Sequence, residues 1–109
     1  MKTEQPVLIT TITAQSAITK NLFIGFDGNL CAAAAKSLGV SNADTDSGEE
    51  LPVMSLGIAL VYSGAAVTAG DAVESDASSK AVTLSAGEKN GEALDSATGA
   101  DELIRVKLL

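Results

Sequence analysis

The sequence predicts an all-β domain, a small β-sandwich or jelly-roll-like barrel of short antiparallel strands. Short runs rich in Val, Ile and Thr alternate with turns rich in Gly, Asp and Ser. Near the end, Ile104, Val106 and Leu108 alternate with Arg105 and Lys107, the period of a half-buried strand. The apolar residues are mostly small, and the only aromatics are Phe23, Phe26 and Tyr62. At 109 residues the chain makes one domain, able to bury roughly 65% of its unfolded surface. A small-residue core gives modest burial per residue, so stability gained through assembly is expected.

Met1 to Pro6 reads as a polar, extended N-terminal arm. Val7 to Thr13 is β-branched and reads as a strand with apolar residues on both faces. That suits a central strand, or an edge strand buried against another chain. The arm and this strand therefore supply the candidate contact residues: Met1, Lys2, Thr3, Glu4, Gln5, Pro6, Val7, Leu8, Ile9 and Ile12. Asp27-Gly28 is a hairpin-turn signal. Leu30 to Leu38 has helix propensity with Gly39 placed as a cap, yet the repeat described next makes its start a strand. The reading adopted is a strand from near Leu30, with at most a short helical turn after it. Residues 41–50 form an acidic surface loop, and Leu51 to Met54 returns to the sheet. In the second half, strands are expected over Val67 to Val73 (broken at Gly70-Asp71), Ala81 to Leu84, Gly91 to Leu94 and Leu103 to Leu109. Turns at Asp76 to Lys80 and Ala86 to Asn90, and a loop from Asp95 to Asp101, join them.

An internal repeat is suggested. A shift of 49 places Ala17 to Asp27 on Ala66 to Asp76, and a shift of 34 places Leu56 to Leu60 on Asn90 to Leu94. The difference implies a 15-residue insertion in the first copy. Two related β-units are the structural reading, and chance similarity among common residues is the alternative.

Composition narrows the function. Seven basic residues face fourteen acidic ones, for a net charge of −7. Without clustered Lys and Arg, neither nucleic acid nor an anionic membrane surface is an expected partner. The acidity suits solubility and a basic protein surface. A single cysteine, Cys31, fits a reducing compartment, and no apolar run approaches the roughly 20 residues of a membrane span.

Catalysis is disfavoured by subtraction. No histidine is present, which removes Ser-His and Cys-His systems and most zinc sites. Cys31 sits among alanines, where a thiol is packing. Asn42, Asp44 and Asp46 alternate as calcium ligands do, but the glycine is one place late and Val53 stands where a glutamate is needed. The loop reads as solvated, and no enzyme, metal or cofactor is expected.

Val67 to Asp76, the Lys80-Ala81-Val82 return, Gly91-Glu92-Ala93-Leu94 and the Leu103 to Leu108 ending together resemble the capsid cement (head decoration) proteins of tailed bacteriophages. The likeness covers about half the chain well and the N-terminal half in general plan. One departure is Ser79, where the family often has glycine before the lysine. The resemblance implies a virion structural protein, made in the bacterial host cytoplasm. It would bind the outer capsid surface and cement neighbouring major capsid subunits against internal DNA pressure. The candidate residues above would then touch the major capsid protein or a second copy. A homo-oligomer is implied, with a dimer favoured and a trimer as the alternative. A β-sandwich adhesion or carbohydrate-binding module, or an enzyme accessory subunit, are the other function classes. The first of these usually presents aromatic platforms, and this chain has no tryptophan.

Overall fold

The computed structural model describes residues 2–108. Eight strands occur: β1 (Gln5–Thr13), β2 (Phe23–Ile24), β3 (Gly39–Ser41), β4 (Glu50–Tyr62), β5 (Ala72–Ser75), β6 (Ala81–Thr83), β7 (Gly91–Ala93) and β8 (Leu103–Leu108). Their ladders are antiparallel, in the order β2-β3-β4-β8-β7-β5-β6, with β1 paired to β4. The expected all-β class is what the chain adopts. The sheet curls towards closure, because the β6 entry meets both flanks. Gly64 N donates to Ala81 O at 2.8 Å, and Phe23 N donates to Ser79 O at 2.9 Å.

Strand β4 organises the molecule. Gly57 and Ile58 pair with both β1 and β8, and Val53 and Met54 pair with both β1 and β3. So β1 lies on one edge of β4, while β3 and then β8 follow each other along the opposite edge. The β1–β4 register slips on either side of Leu8, leaving Val7 and Ser55 without a partner. Such a bulge reverses which residues face inward. Leu51 and Val53 belong to one apolar cluster, with Ala14, Ile18 and Ile24. Met54, Ala59 and Val61 belong to a second, with Phe23, Val73, Ile104 and Val106. Leu56 is turned outward and stays 39% exposed.

The repeat exists, and the strand pairings define it better than the residue identities do. The shift of 49 holds from β1 through β2: Ile9↔Met54 corresponds to Ile58↔Lys107, and Phe23↔Val40 to Ala72↔Glu92. Loop bonds repeat too. Ala14 N to Glu49 O (2.9 Å) matches Ser63 N to Glu102 O (2.8 Å), and Ile18 N to Thr45 O (2.8 Å) matches Val67 N to Ala97 O (3.0 Å). One unit is therefore β1, β2, β3 and the first half of β4; the other is the second half of β4, β5, β6, β7 and β8.

Two expectations are corrected. Leu56 to Leu60 lies within β4 and is not the counterpart of Asn90 to Leu94; that counterpart is β3, since Ile24↔Gly39 matches Val73↔Gly91. No 15-residue insertion separates the copies, because the acidic loop before β4 corresponds to the loop before β8. The short identity that suggested otherwise came from Gly and Ala, which recur wherever strands cross closely. Leu30 to Leu38 is the second correction: it is neither helix nor a named strand. Leu30 makes one bridge to Ile24, and Ala34 takes φ +62°. The segment is tied down from outside, with Cys31 O accepting from Ser75 Oγ (3.3 Å) and Ser79 Oγ (2.7 Å). Gly39 opens β3 and caps no helix.

The closing strand behaves as its alternation predicts: Ile104, Val106 and Leu108 are buried, and Lys107 is exposed. Leu109 lies outside the described residues.

Ser79 shows why a glycine is expected there. Its φ is +63°, which favours glycine, and its side chain is fully buried. Here serine accepts the backbone strain and gains the 2.7 Å bond to Cys31 O. Ser79→Ala keeps the strain and loses the bond, so it should lower stability by about 1–2 kcal/mol. Ser79→Gly relieves the strain while losing the bond, and should fall closer to wild type. Urea denaturation orders the three; alanine equal to or above glycine would refute this account.

Candidate protein-contact surfaces

Strand β1 carries three of the seven exposed large hydrophobic residues among the described residues. Val7 is 77% exposed, Leu8 49% and Ile9 42%, although β1 is paired along its length to β4. Among the described residues it pairs with no other strand, which leaves its second edge free there. No charged residue occurs from Gln5 to Thr13. Edge strands are commonly blunted with lysine or short length; beyond Pro6 and the bulge at Val7, this one is not. Of the two sequence readings, edge or centre, the structure gives the edge.

The other candidate residues are placed as follows. Ile12 packs against the Ala14–Ile18–Leu51 cluster and belongs more to the core than to the surface. Gln5 and Pro6 begin β1, opposite Ile58 and Gly57, so the arm gives way to strand two residues early. Lys2 Nζ donates to Leu103 O at 2.9 Å, and Glu4 sits 3.7 Å from Lys20. Thr3 is exposed. Met1 lies outside the described residues. The arm thus lies along the body near β8. Leu56, opposite Leu8, extends the apolar patch and was not among the expected contacts. In the sequence it reads as the middle of a core strand, and only the bulge turns it out.

The acidic loop, from Asn42 after β3 to Glu49, is pinned at its centre by reciprocal bonds between Thr45 and Ile18 (2.8 and 2.9 Å). Two of its carboxylates each accept from a backbone amide through one oxygen: Asp44 Oδ1 from Lys20 N (2.8 Å), and Glu49 Oε1 from Asp46 N (3.2 Å). A shallow depression lined by Ala17, Ile18, Thr19, Asp44, Asp46 and Glu49 lies beside it. Among the described residues no group of three metal-ligating side chains comes together.

Ionic contacts elsewhere brace the sheet. Asp95 takes Arg105 in a two-pronged contact, Nε to Oδ2 and Nη2 to Oδ1, both 3.0 Å, and also accepts from Arg105 N at 2.9 Å. Those bonds to Arg105 hold the Asp95 carboxyl down at about 2. Lys80 pairs with Asp101 across the opposite loops, which raises the ammonium pKa. Cys31 is buried in the main cluster, where desolvation pushes its thiol up and disfavours the reactive thiolate.

The molecule is a small β-domain whose outstanding exposed feature, among the described residues, is an uncharged sheet edge of the kind that can add a strand from another chain. The model of the phage cement protein family matches residues 1–108, and the chain belongs to that family of phage structural proteins. Among solved structures, the fold is similar to the N base of head fiber gp8.5 of bacteriophage phi29, with a TM-score of 0.72 and 20% identity over 94% of this chain and 93% of that one. A search among curated proteins finds no match.

Proposed function

We propose that this protein is a virion component that binds the outer surface of the phage head and cements neighbouring major capsid subunits. The exposed β1 edge, Val7, Leu8 and Ile9, in a member of the cement family carries this reading. A cement acts by mass action: it binds the assembled lattice and not the free shell protein, and so favours the intact head. Each contact can be weak, because many are made around one shell and multivalency multiplies them. Copies joined in a small closed homo-oligomer, a twofold dimer before a trimer, would multiply contacts further. The net charge of −7 agrees with a protein partner in place of nucleic acid or membrane.

The test compares DNA-filled heads with and without the protein. Bare heads are expected to release DNA at lower temperature, and adding purified protein back should restore retention. Equal stability of bare and decorated heads would overturn the cementing role, even with the protein bound.

A further inference from the structure

The two units offer an internal comparison that sets apart one end of the molecule. Each unit has a hairpin at the same place: Ile24 to Leu30 in the first, and β5–β6 in the second. In the second, the residue aligned with Phe26 is Ser75, which is buried with its Oγ donating to Cys31 O (3.3 Å), and the turn exposes only the small Ala77 and Ser78. The first presents Phe26 at its tip, 63% exposed, with Leu30 also exposed at 39%. The fold therefore does not require an aromatic in solvent at this point. Phe23 is fully buried and Tyr62 half-buried, so Phe26 is the one exposed aromatic among the described residues.

The hairpin tip is fastened beside a group of carboxylates. Gln15 N donates to Gly28 O (3.1 Å), Ala14 N to Glu49 O (2.9 Å) and Thr13 Oγ1 to Glu50 Oε1 (2.8 Å). Asp27, Asp46, Glu49 and Glu50 are all exposed there. None takes part in an ion pair among the described residues. Asp27 is further held in its charged form by the amide and side chain of Asn29. At the corresponding places the second unit has Asp76, Thr98, Glu102 and Leu103 for Asp27, Asp46, Glu49 and Glu50, so Asp46 and Glu50 are acidic in the first unit alone.

We propose that this end is a second docking surface, on which Phe26 enters an apolar recess and the surrounding carboxylates meet lysines or arginines of a basic patch on the shell protein. The inference rests on the cementing role above and names the chemistry of its partner. A protein that bridges two subunits needs two separated contacts. Val7 and Thr13 stand roughly 20 Å apart along β1, which separates the uncharged edge from the acidic end. An exposed aromatic with surrounding carboxylates suits a basic surface, through burial of the ring and contact of its face with guanidinium groups.

The experiment titrates purified protein onto undecorated heads at low and high salt. Wild type, Phe26→Ala and the combined Asp46→Asn, Glu49→Gln, Glu50→Gln variant are compared. All four side chains are exposed, so melting temperatures should agree and folding is checked directly. Phe26→Ala should weaken half-saturation about tenfold or more. The charge variant should bind weakly and lose the salt dependence shown by wild type. If wild type binds and either variant matches it in affinity and salt response, the docking surface is overturned while the cementing role stands. If wild type fails to bind heads at all, the cementing role falls, and this inference with it.

Discussion

Replacing Gly39 or Gly91 by alanine should each cost about 3 kcal/mol, and so lower the melting temperature by on the order of 10–20 °C. The two glycines occupy the same place in the two units, opening β3 and β7. A methyl group on Gly39 would run into the Met54 carbonyl, and one on Gly91 would lie 2.6 Å from both Lys107 O and Val106 Cγ1. These obstacles are mainly backbone of the neighbouring strand, β4 or β8, which cannot swing aside as a long side chain can. The ladder must part, or Val53 and Val106 must leave their packed positions. Gly99 is the control: nothing lies within 4 Å of its added methyl, and Gly99→Ala should leave stability within about 0.5 kcal/mol of wild type. Thermal melts followed by circular dichroism decide the matter. A Gly39→Ala protein melting with wild type would show that the sheet crossing is looser than described.

Placing lysine at both Val7 and Ile9 should leave the fold intact and lower occupancy on heads by roughly 10–100-fold. Both side chains are more exposed than buried or nearly so, at 77% and 42%, so little core packing is lost. Charge on a free edge disfavours addition of another strand, and it removes the apolar patch shared with Leu8 and Leu56. Deleting Met1 to Pro6 is a blunter version of the test. It would also remove the Gln5 and Pro6 pairings with Ile58 and Gly57, and the bond from Lys2 to Leu103 O. Occupancy is read by quantifying the protein on purified heads after exposure to a concentration series. Unchanged occupancy of the double-lysine variant would remove β1 from the contact surface.

The all-β class, the strands from Ala81 onward and the burial of Ile104, Val106 and Leu108 were legible in the sequence. In those stretches local alternation and turn residues agree with the tertiary packing. The strand at Val7 and its apolar residues on both faces were legible for a related reason. Apolar residues on both faces have no solution within a half-buried sheet. The motifs around Gly70-Asp71 and Lys80-Ala81 were enough to point to the family. The shift of 49 was visible as far as Asp27, where both copies keep the same spacing.

Beyond that point only the tertiary structure decided. A different hairpin length changes the spacing between the copies, and the counterparts then share few residues: Gly39-Val40-Ser41 answers Gly91-Glu92-Ala93. Those positions are fixed by backbone pairing, which leaves little trace in side-chain identity. Leu30 to Leu38 is alanine-rich, but its backbone groups are claimed by Ser75, Ser79 and Glu88, and long-range bonds outweigh a helix propensity of a few tenths of a kcal/mol per residue. The outward turn of Leu56 depends on a one-residue slip at Ser55. A bulge inverts the faces of every residue after it, and alternation alone cannot reveal where it falls. Phe26 likewise read as part of a strand repeat, and only the comparison of two folded hairpins shows that it stays in solvent where its counterpart Ser75 is buried.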